Sequence, residues 1–568
     1  MNRPPLKSRP ALGGITSQRD VMLWAGLLLA AGLLCLGLGA IIVLIKADPN
    51  GSRVGSIFYA MDWHRVGYAL RSAGFQAFLS AFCSLIIAIH ASIAVVRRAY
   101  WSMITPLISV ISLAMVLPTT VAAMGLLSVW GRNGVMLELC RAIGFDLCGD
   151  MTIYGLHGVV LAHIMLNIPL MMRVFIPLIS AIPERRYHLS AQLSLKMAGR
   201  FRHVEFPQIK PAIPGVFALV FLMCFTSFAL VLMLGGGPKV TTLEVEIYSA
   251  VRFDFNLSAA AGLSLIQFGC AALVVMILST RGQFEQPSPL TALEKKNNRC
   301  DIGKGELVLD SVIMTVLFGL IVLPIVMIAI KGIGPDLIKV ISRPQFLAAL
   351  KASLSVSAIS AGIVLVLAML MGYARAVLTI PQRYGQFQWA QRFVRLLDAG
   401  VMLYLVIPSI VLGTAAFIVL RHYGDVFRYG VMVVILANVL LSLPFAVKLL
   451  DRRMAALMAS QDKLAVMLGV SGWSRLRILT LPPLKKDLGL VVGLTVALSI
   501  GDLGVIALFA QPDFQTLPWL LYQLAGRYAA GEAAGLALVL LVLTVAMFVA
   551  AHAFVGALVA IFSGGRNA

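Results

Sequence analysis

Twelve long apolar runs, each near the length of a membrane-crossing helix, set the frame for this chain. They lie near 21–46, 69–96, 103–130, 153–175, 212–236 and 258–280, then near 307–330, 346–376, 397–420, 429–450, 488–511 and 533–563. A helix crossing the hydrocarbon needs about 20 residues at about 1.5 Å of rise each. Backbone polar groups in lipid must bond within their own segment, so helices are the expected form. Composition agrees: 60% of the 568 residues are hydrophobic, only 12% are charged, and the mean hydropathy is +0.92. Soluble domains are close to half apolar and about a quarter charged. The expected class is an all-α polytopic membrane protein. The first run is too long for a cleaved signal peptide and is expected to stay as a span.

A net charge of +21 invites a nucleic-acid reading, but the placement of the charge argues against it. Arg3, Lys7, Arg9 and Arg19 precede the first run, and Arg97 and Arg98 follow the second. Arg173, Arg185, Arg186, Lys196, Arg200, Arg202 and Lys210 follow the fourth. Lys448, Arg452, Arg453, Lys463, Arg475, Arg477, Lys485 and Lys486 follow the tenth. The alternate loops are balanced or acidic; 131–152 sets Arg132 and Arg141 against Glu138, Asp146 and Asp150. Basic residues in every second loop follow the positive-inside pattern, which predicts cytoplasmic termini. Four of the cysteines, Cys35, Cys83, Cys224 and Cys270, fall in spans and read as small packing residues. Cys140 and Cys148 share one expected outer loop, where compartment permits a bridge that spacing does not demand.

The chain repeats itself. His163, Pro169 and Arg173 in "HIMLNIPLMMRV" are matched by Asn438, Pro444 and Lys448 in "NVLLSLPFAVKL" at a constant offset of 275 residues. The same offset relates 193–207 to 468–482, Thr241 to Thr516 and Arg252 to Arg527. "ALRSA" at 69–73 returns as "ALKAS" at 349–353, and "VLPTT" at 116–120 as "VIPSI" at 406–410. Two parallel six-span repeats predict a pseudo-twofold bundle with a pathway at the interface. The expected boundaries are an N-terminal segment with the first span at 1–68, a first domain at 69–280 and a linker at 281–306 containing Pro287 and Pro289. A seventh span with its outer loop at 307–345, a second domain at 346–563 and a tail at 564–568 complete the chain.

The repeated cytoplasmic stretch is the most specific feature. It is too polar to span, yet Leu464, Met467, Leu468 and Trp473 keep helical spacing, and Gly469 is matched by Ser194. A short amphipathic helix, a glycine-type break and a second helix leading to Pro207 or Pro482 are expected. A lipid-bound surface helix is the bland alternative; duplication favours a docking element. The pattern resembles the EAA loop of permeases in bacterial ABC importers. Copy two, "KLAVMLGVSGWSRLRILTLP", keeps the glycine, the Trp and the Leu-Pro; copy one has Ser194 and Phe206 there. Neither keeps the glutamate, since His188 and Lys463 stand in its place.

The resemblance implies two fused type I transmembrane domains in a bacterial inner membrane. It also implies a separate cytoplasmic ATPase, present as two copies, carrying ATP and Mg, and a periplasmic substrate-binding protein. No cofactor is expected on this chain. The docking residues it implies are Ala191, Leu193, Ser194, Phe201 and Pro207, with Ala465, Leu468, Gly469, Trp473, Leu481 and Pro482 in the second copy. Residues 225–267 and 499–524 are similar to the thiamine and thiamine pyrophosphate permeases; iron(III) permeases share the duplicated layout.

Gly235–Gly237 and Lys239 do not make a phosphate cradle. The G-x-x-x-x-G-K-[ST] spacing is absent and no strand precedes them. They read as the end of a span, where positive φ angles are needed. No nucleophile–base set and no metal-ligand spacing appears, so an enzyme is not expected. Asp502, in "SIGDLGV", is the acid set deepest in an apolar run. It reads either as pathway lining or as the cap of a helix broken beside Gly501 and Gly504, the cap being the stronger reading. Ser227 occupies its matched position. His163, Asn167 and Asn438 are pathway candidates as well, with inter-helix hydrogen bonding the favoured role for the first two. Pro118, Pro169, Pro408 and Pro444 are expected to kink helices. An ion-gradient-driven transporter remains the alternative class.

Overall fold

The computed structural model describes residues 16–47, 61–132, 134–143, 152–237, 240–279, 303–379, 388–470, 472–527 and 529–563, apart from 103, 105, 107, 109, 110, 112, 113 and 115. Among these, no strand forms. Nine helices are long and apolar enough to cross a membrane, or up to eleven when each of two bent pairs is one span. The expected run near 103–130 includes residues outside the description. The expected linker at 281–306 lies almost wholly outside it, as do Cys148 and Lys239.

The first half is built from α1 (Thr16–Ile45), α2 (Trp63–Arg97), α3 (Thr119–Trp130), α4 (Leu156–Ser180), α5 (Ile213–Phe225) and α6 (Leu257–Ser279). The second consists of α7 (Lys304–Gly332), α8 (Pro344–Thr379), α9 (Gln388–Val406), α10 (Ser409–Arg421), α11 (Gly430–Met467), α12 (Leu481–Gly501) and α13 (Ala530–Ser563). Within each half the same pair forms the centre: α2 packs on α4, and α8 on α11. A stripe of small residues makes this close approach feasible. Ala69, Ala73, Ala77, Ser80, Ala81 and Ala88 on α2 are buried, and Ala349, Ser353, Ser357, Ser360, Ala361 and Ala368 repeat them on α8. In lipid, such stripes replace the hydrophobic drive with van der Waals contact between backbones.

The outlying helix of each half seats against the other half. α1 packs on α8, α9 and α10, and the Tyr404 hydroxyl donates to the Leu33 carbonyl at 2.7 Å. α7 packs on α2 and α3 of the first half and on α13 of its own. A Cβ on Gly125 in α3 would lie 2.9 Å from Cβ of Pro324 in α7, so only glycine admits that contact.

The prolines divide into two kinds. Pro169 and Pro444 lie inside α4 and α11, as kinks require. Pro118 and Pro408 instead open new helices: each is the N-cap of a following segment, and α9 and α10 meet at 93°. The expectation of kinked continuous helices at these two positions is corrected accordingly. Proline lacks the N–H that a continuing helix would use, so the chain restarts in a new direction.

Candidate translocation cavity and docking elbows

The two halves border a half-open cavity of about 260 Å³ where their helices break. In the first half, α5 ends at Phe225 and a short helix resumes at Ala229. In the second, α12 ends at Gly501 and resumes at Gly504. Ser227 and Asp502 sit in these matched breaks, and both line the cavity. Thr119 and Ser409, the first residues after Pro118 and Pro408, complete a pseudo-symmetric polar set. The remaining wall is largely apolar and includes Met223, Phe228 and Leu498. Asp502 both lines this cavity and caps the helix that restarts beside it. Its Oδ1 accepts from the Gly504 N–H at 3.1 Å, a helix cap. Its Oδ2 is buried without a hydrogen-bond partner.

His163, Asn167 and Asn438 lie elsewhere, buried between helices of their own halves. His163 Nδ1 lies 3.3 Å from the Ser80 hydroxyl, and Asn167 Nδ2 donates to Cys224 Sγ at 3.1 Å. Gln76 adds a bond to the Cys224 carbonyl at 2.6 Å. In the second half Asn438 Nδ2 donates to Ser499 Oγ at 2.8 Å, and Ser499 matches Cys224 at the offset of 275. None of the three lines the cavity; they fasten α2, α4 and α5, and α11 to α12.

The elbows repeat in detail. Ser194 has φ 52° and Gly469 has φ 61°, the left-handed conformation that ends a helix. The same closing bond follows each: Leu195 N–H to the Ser190 carbonyl at 2.9 Å, and Val470 N–H to the Ala465 carbonyl at 3.0 Å. A π-helical turn comes next at matched places, Phe201–Glu205 and Leu476–Thr480, and Pro207 and Pro482 then start the following helix. Leu189 and Leu193 are 55% and 63% exposed, and their counterparts Leu464 and Leu468 are 45% and 59% exposed. Ala191 is exposed too, whereas Ala465 is buried and the half-buried Phe201 stacks on His90 and lies tilted against Phe206. The Trp473 side chain lies outside the description. The sequence missed Leu189, although its match to Leu464 at the repeat offset was available.

Both elbows occupy one end of the bundle. Glu306, at the start of α7, pairs with Arg200 in the first elbow. α7 runs to the far end and α8 returns, where Arg375 pairs with Asp451 of α11, which leads into the second elbow. The Gly235–Gly237 turn lies at the opposite end, tied to the start of α4 by Gly155 N–H to the Leu234 carbonyl at 2.8 Å. Gly236 and Gly237 have φ 73° and 85°, as a chain reversal there requires.

No family model matches the chain. Curated relatives do. The thiamine transport system permease protein ThiP of Brucella suis is 33% identical over 529 residues, covering 93% of this chain and 94% of the relative. That of Escherichia coli K12 is 35% identical over 486 residues, 86% of this chain and 88% of the relative. A more distant match, 24% identical over 169 residues, is a probable sulfate transport system permease protein from Helicosporidium, covering 29% of this chain and 61% of the relative. A multi-pass helical bundle, internally duplicated and aligned with these relatives over nearly its whole length, belongs to the ThiP family of thiamine transport system permease proteins.

Proposed function

We propose that this chain is the membrane subunit of an ATP-driven importer that carries thiamine and/or its phosphate esters across the bacterial inner membrane. The observation that carries the reading is the pair of elbows, alike in break, closing bond, π-turn and exposed leucines, at one end of the bundle. Exposed apolar side chains at matched places beyond the spans are the mark of a docking surface. Two copies of a cytoplasmic ATPase, with ATP and Mg held on that partner, dock on Leu189 and Leu193 and on Leu464 and Leu468. The elbow end is the cytoplasmic side, with both termini there, and a periplasmic binding protein delivers substrate at the opposite end. Closure of the ATPase draws the elbows together and opens the cavity between the halves outward; hydrolysis resets it. Ser227 and Asp502 line the route, and His163, Asn167 and Asn438 hold the helices that move. The chain performs no chemistry and binds no cofactor of its own.

Labelled thiamine uptake by vesicles containing the full complex tests the reading. ATP-dependent uptake and co-purification of the ATPase are expected. Uptake driven by an ion gradient alone, with no ATPase bound, overturns the mechanism, and iron(III) uptake in place of thiamine overturns the substrate.

A further inference from the structure

The cavity between the halves has an electrostatic bias that its symmetry does not predict. Among the described residues lining it, Asp502 is the one ionisable side chain. Its match across the pseudo-twofold is the neutral Ser227, so a single negative charge faces the cavity from one side. The carboxylate is held in place. Oδ1 is tied to the Gly504 N–H, and a Cβ on Gly504 would lie 2.2 Å from the Ser409 hydroxyl oxygen. A Cβ on Gly501 would meet Cβ of Pro118, from the other half, at 3.1 Å. The break that presents Asp502 is thus pressed between two helices that also line the cavity. Its Oδ2 accepts no hydrogen bond at ordinary geometry, although the Val505 N–H also faces the carboxylate. A buried carboxylate oxygen left unpaired is costly, and intramembrane acids of this kind face a path or a partner.

We infer that the Asp502 carboxylate is the charge contact for an organic monocation passing between the halves, and so a specificity-determining residue of the permease. The inference rests on the transport reading above and narrows it to ligand chemistry. A metal ion is a poor fit: among the described residues no group of three or more His, Cys, Asp or Glu is placed to hold one, and hard cations need several oxygen ligands. An anion is disfavoured because no Lys or Arg lines the cavity to offset Asp502. A ring cation with delocalised charge suits the site, since Met223 and Phe228 offer it soft and aromatic contact while Asp502 supplies the countercharge. A quaternised ring cannot shed its charge as an amine can, so a fixed carboxylate on its route lowers the cost of crossing an apolar interior.

Two measurements test this on the full-length chain. In detergent, millimolar thiamine is expected to raise the melting temperature of the wild type, and an uncharged isostere with the ring nitrogen replaced by carbon is not. Asp502→Asn, which keeps an Oδ1 for Gly504, is expected to lose the thiamine effect. In vesicles containing the complex, Asp502→Asn is expected to lower thiamine uptake at least tenfold at normal protein abundance. Moving the acid across the pseudo-twofold, in Asp502→Asn/Ser227→Asp, is expected to restore uptake to within about threefold of wild type. Equal stabilisation of wild type and Asp502→Asn by thiamine overturns the inference. So does loss of uptake in Asp502→Asn that neither Ser227→Asp nor Asp502→Glu repairs, since that marks a helix cap alone. Stabilisation that depends on Asp502 in a wild type incapable of uptake keeps the cation site and sinks the transport reading instead.

Discussion

The two elbows share a backbone but are anchored by different chemistry. Behind the first lies a buried cluster of three arginines and three acids: Arg97, Arg98 and Arg200 with Glu205, Glu306 and Asp310. Arg97 reaches Asp310 at 3.1 Å, Glu306 at 3.4 Å and Glu205 at 3.7 Å, and Arg98 reaches Asp310 at 3.2 Å. Arg98 also covers the Trp101 ring at 4.8 Å. The cluster binds the end of α2, the π-turn of the elbow and the first turns of α7. At the matching places in the second half stand Val377, Leu378 and Thr480, all buried. There, charge is used elsewhere: Arg375 joins Asp398 of α9 at 3.0 Å and Asp451 of α11. The elbow itself is tied to α13 by Arg477 Nε donating to the Phe562 carbonyl. Burying an ion pair is often no more stabilising than well-packed apolar side chains, so the second half loses little by its substitution. What the first half gains is a directional link: the elbow is fastened to α7, which meets α3 at Gly125, and α3 begins at the cavity residue Thr119.

The sharpest way to break this comparison is to remove one acid. Asp310→Ala leaves Arg97 and Arg98 without their nearest countercharge and is expected to cost about 3–5 kcal/mol. Membrane abundance and thermal melting would show it, while Thr480→Ala in the second half is expected to cost under about 1 kcal/mol. Comparable losses for the two would dissolve the proposed difference. Next in size is docking. Leu193→Asp and Leu468→Asp each place a charge in an exposed apolar patch, and each is expected to reduce ATPase co-purification about tenfold, with the double variant abolishing it. A tenfold loss from one and none from the other would make the elbows functionally unequal. Smallest is the backbone effect at the shared break. Gly469→Val forces a β-branched residue into φ 61° and is expected to cost about 1–2 kcal/mol. Ser194→Gly relaxes φ 52° and is expected to gain up to about 1 kcal/mol, both read as shifts in melting temperature.

Much of the architecture was legible because lipid imposes local rules: run length and a repeated glycine-type break each act within a short window. The elbows and the Gly235–Gly237 reversal belong to that class. The cavity does not, since Pro118, Ser227, Ser409 and Asp502 meet only after four separate breaks converge. Nor does the ion cluster. Arg97 and Arg98 read as an ordinary basic loop and Glu306 as the edge of a linker, and nothing in their spacing shows that Arg200 will bury itself between them. Two proline positions misled for a related reason. A proline within an apolar run signals disruption, but a kink and a fresh start, at 93° in the case of Pro408, leave the same mark in one dimension.

The crossed seating of α1 and α7 bears on how the protein is made. α1 leaves the ribosome well before its seat exists: the surfaces that receive Leu23, Leu27 and Ala30 belong to α8 and α9, which begin more than 310 residues later. Until then lipid must solvate a face destined for protein contact. A chain interrupted after Ser279 would leave α1 with α6 as its one long neighbour and α3 without α7, so the full seating of both waits for α7 to α10 to be made.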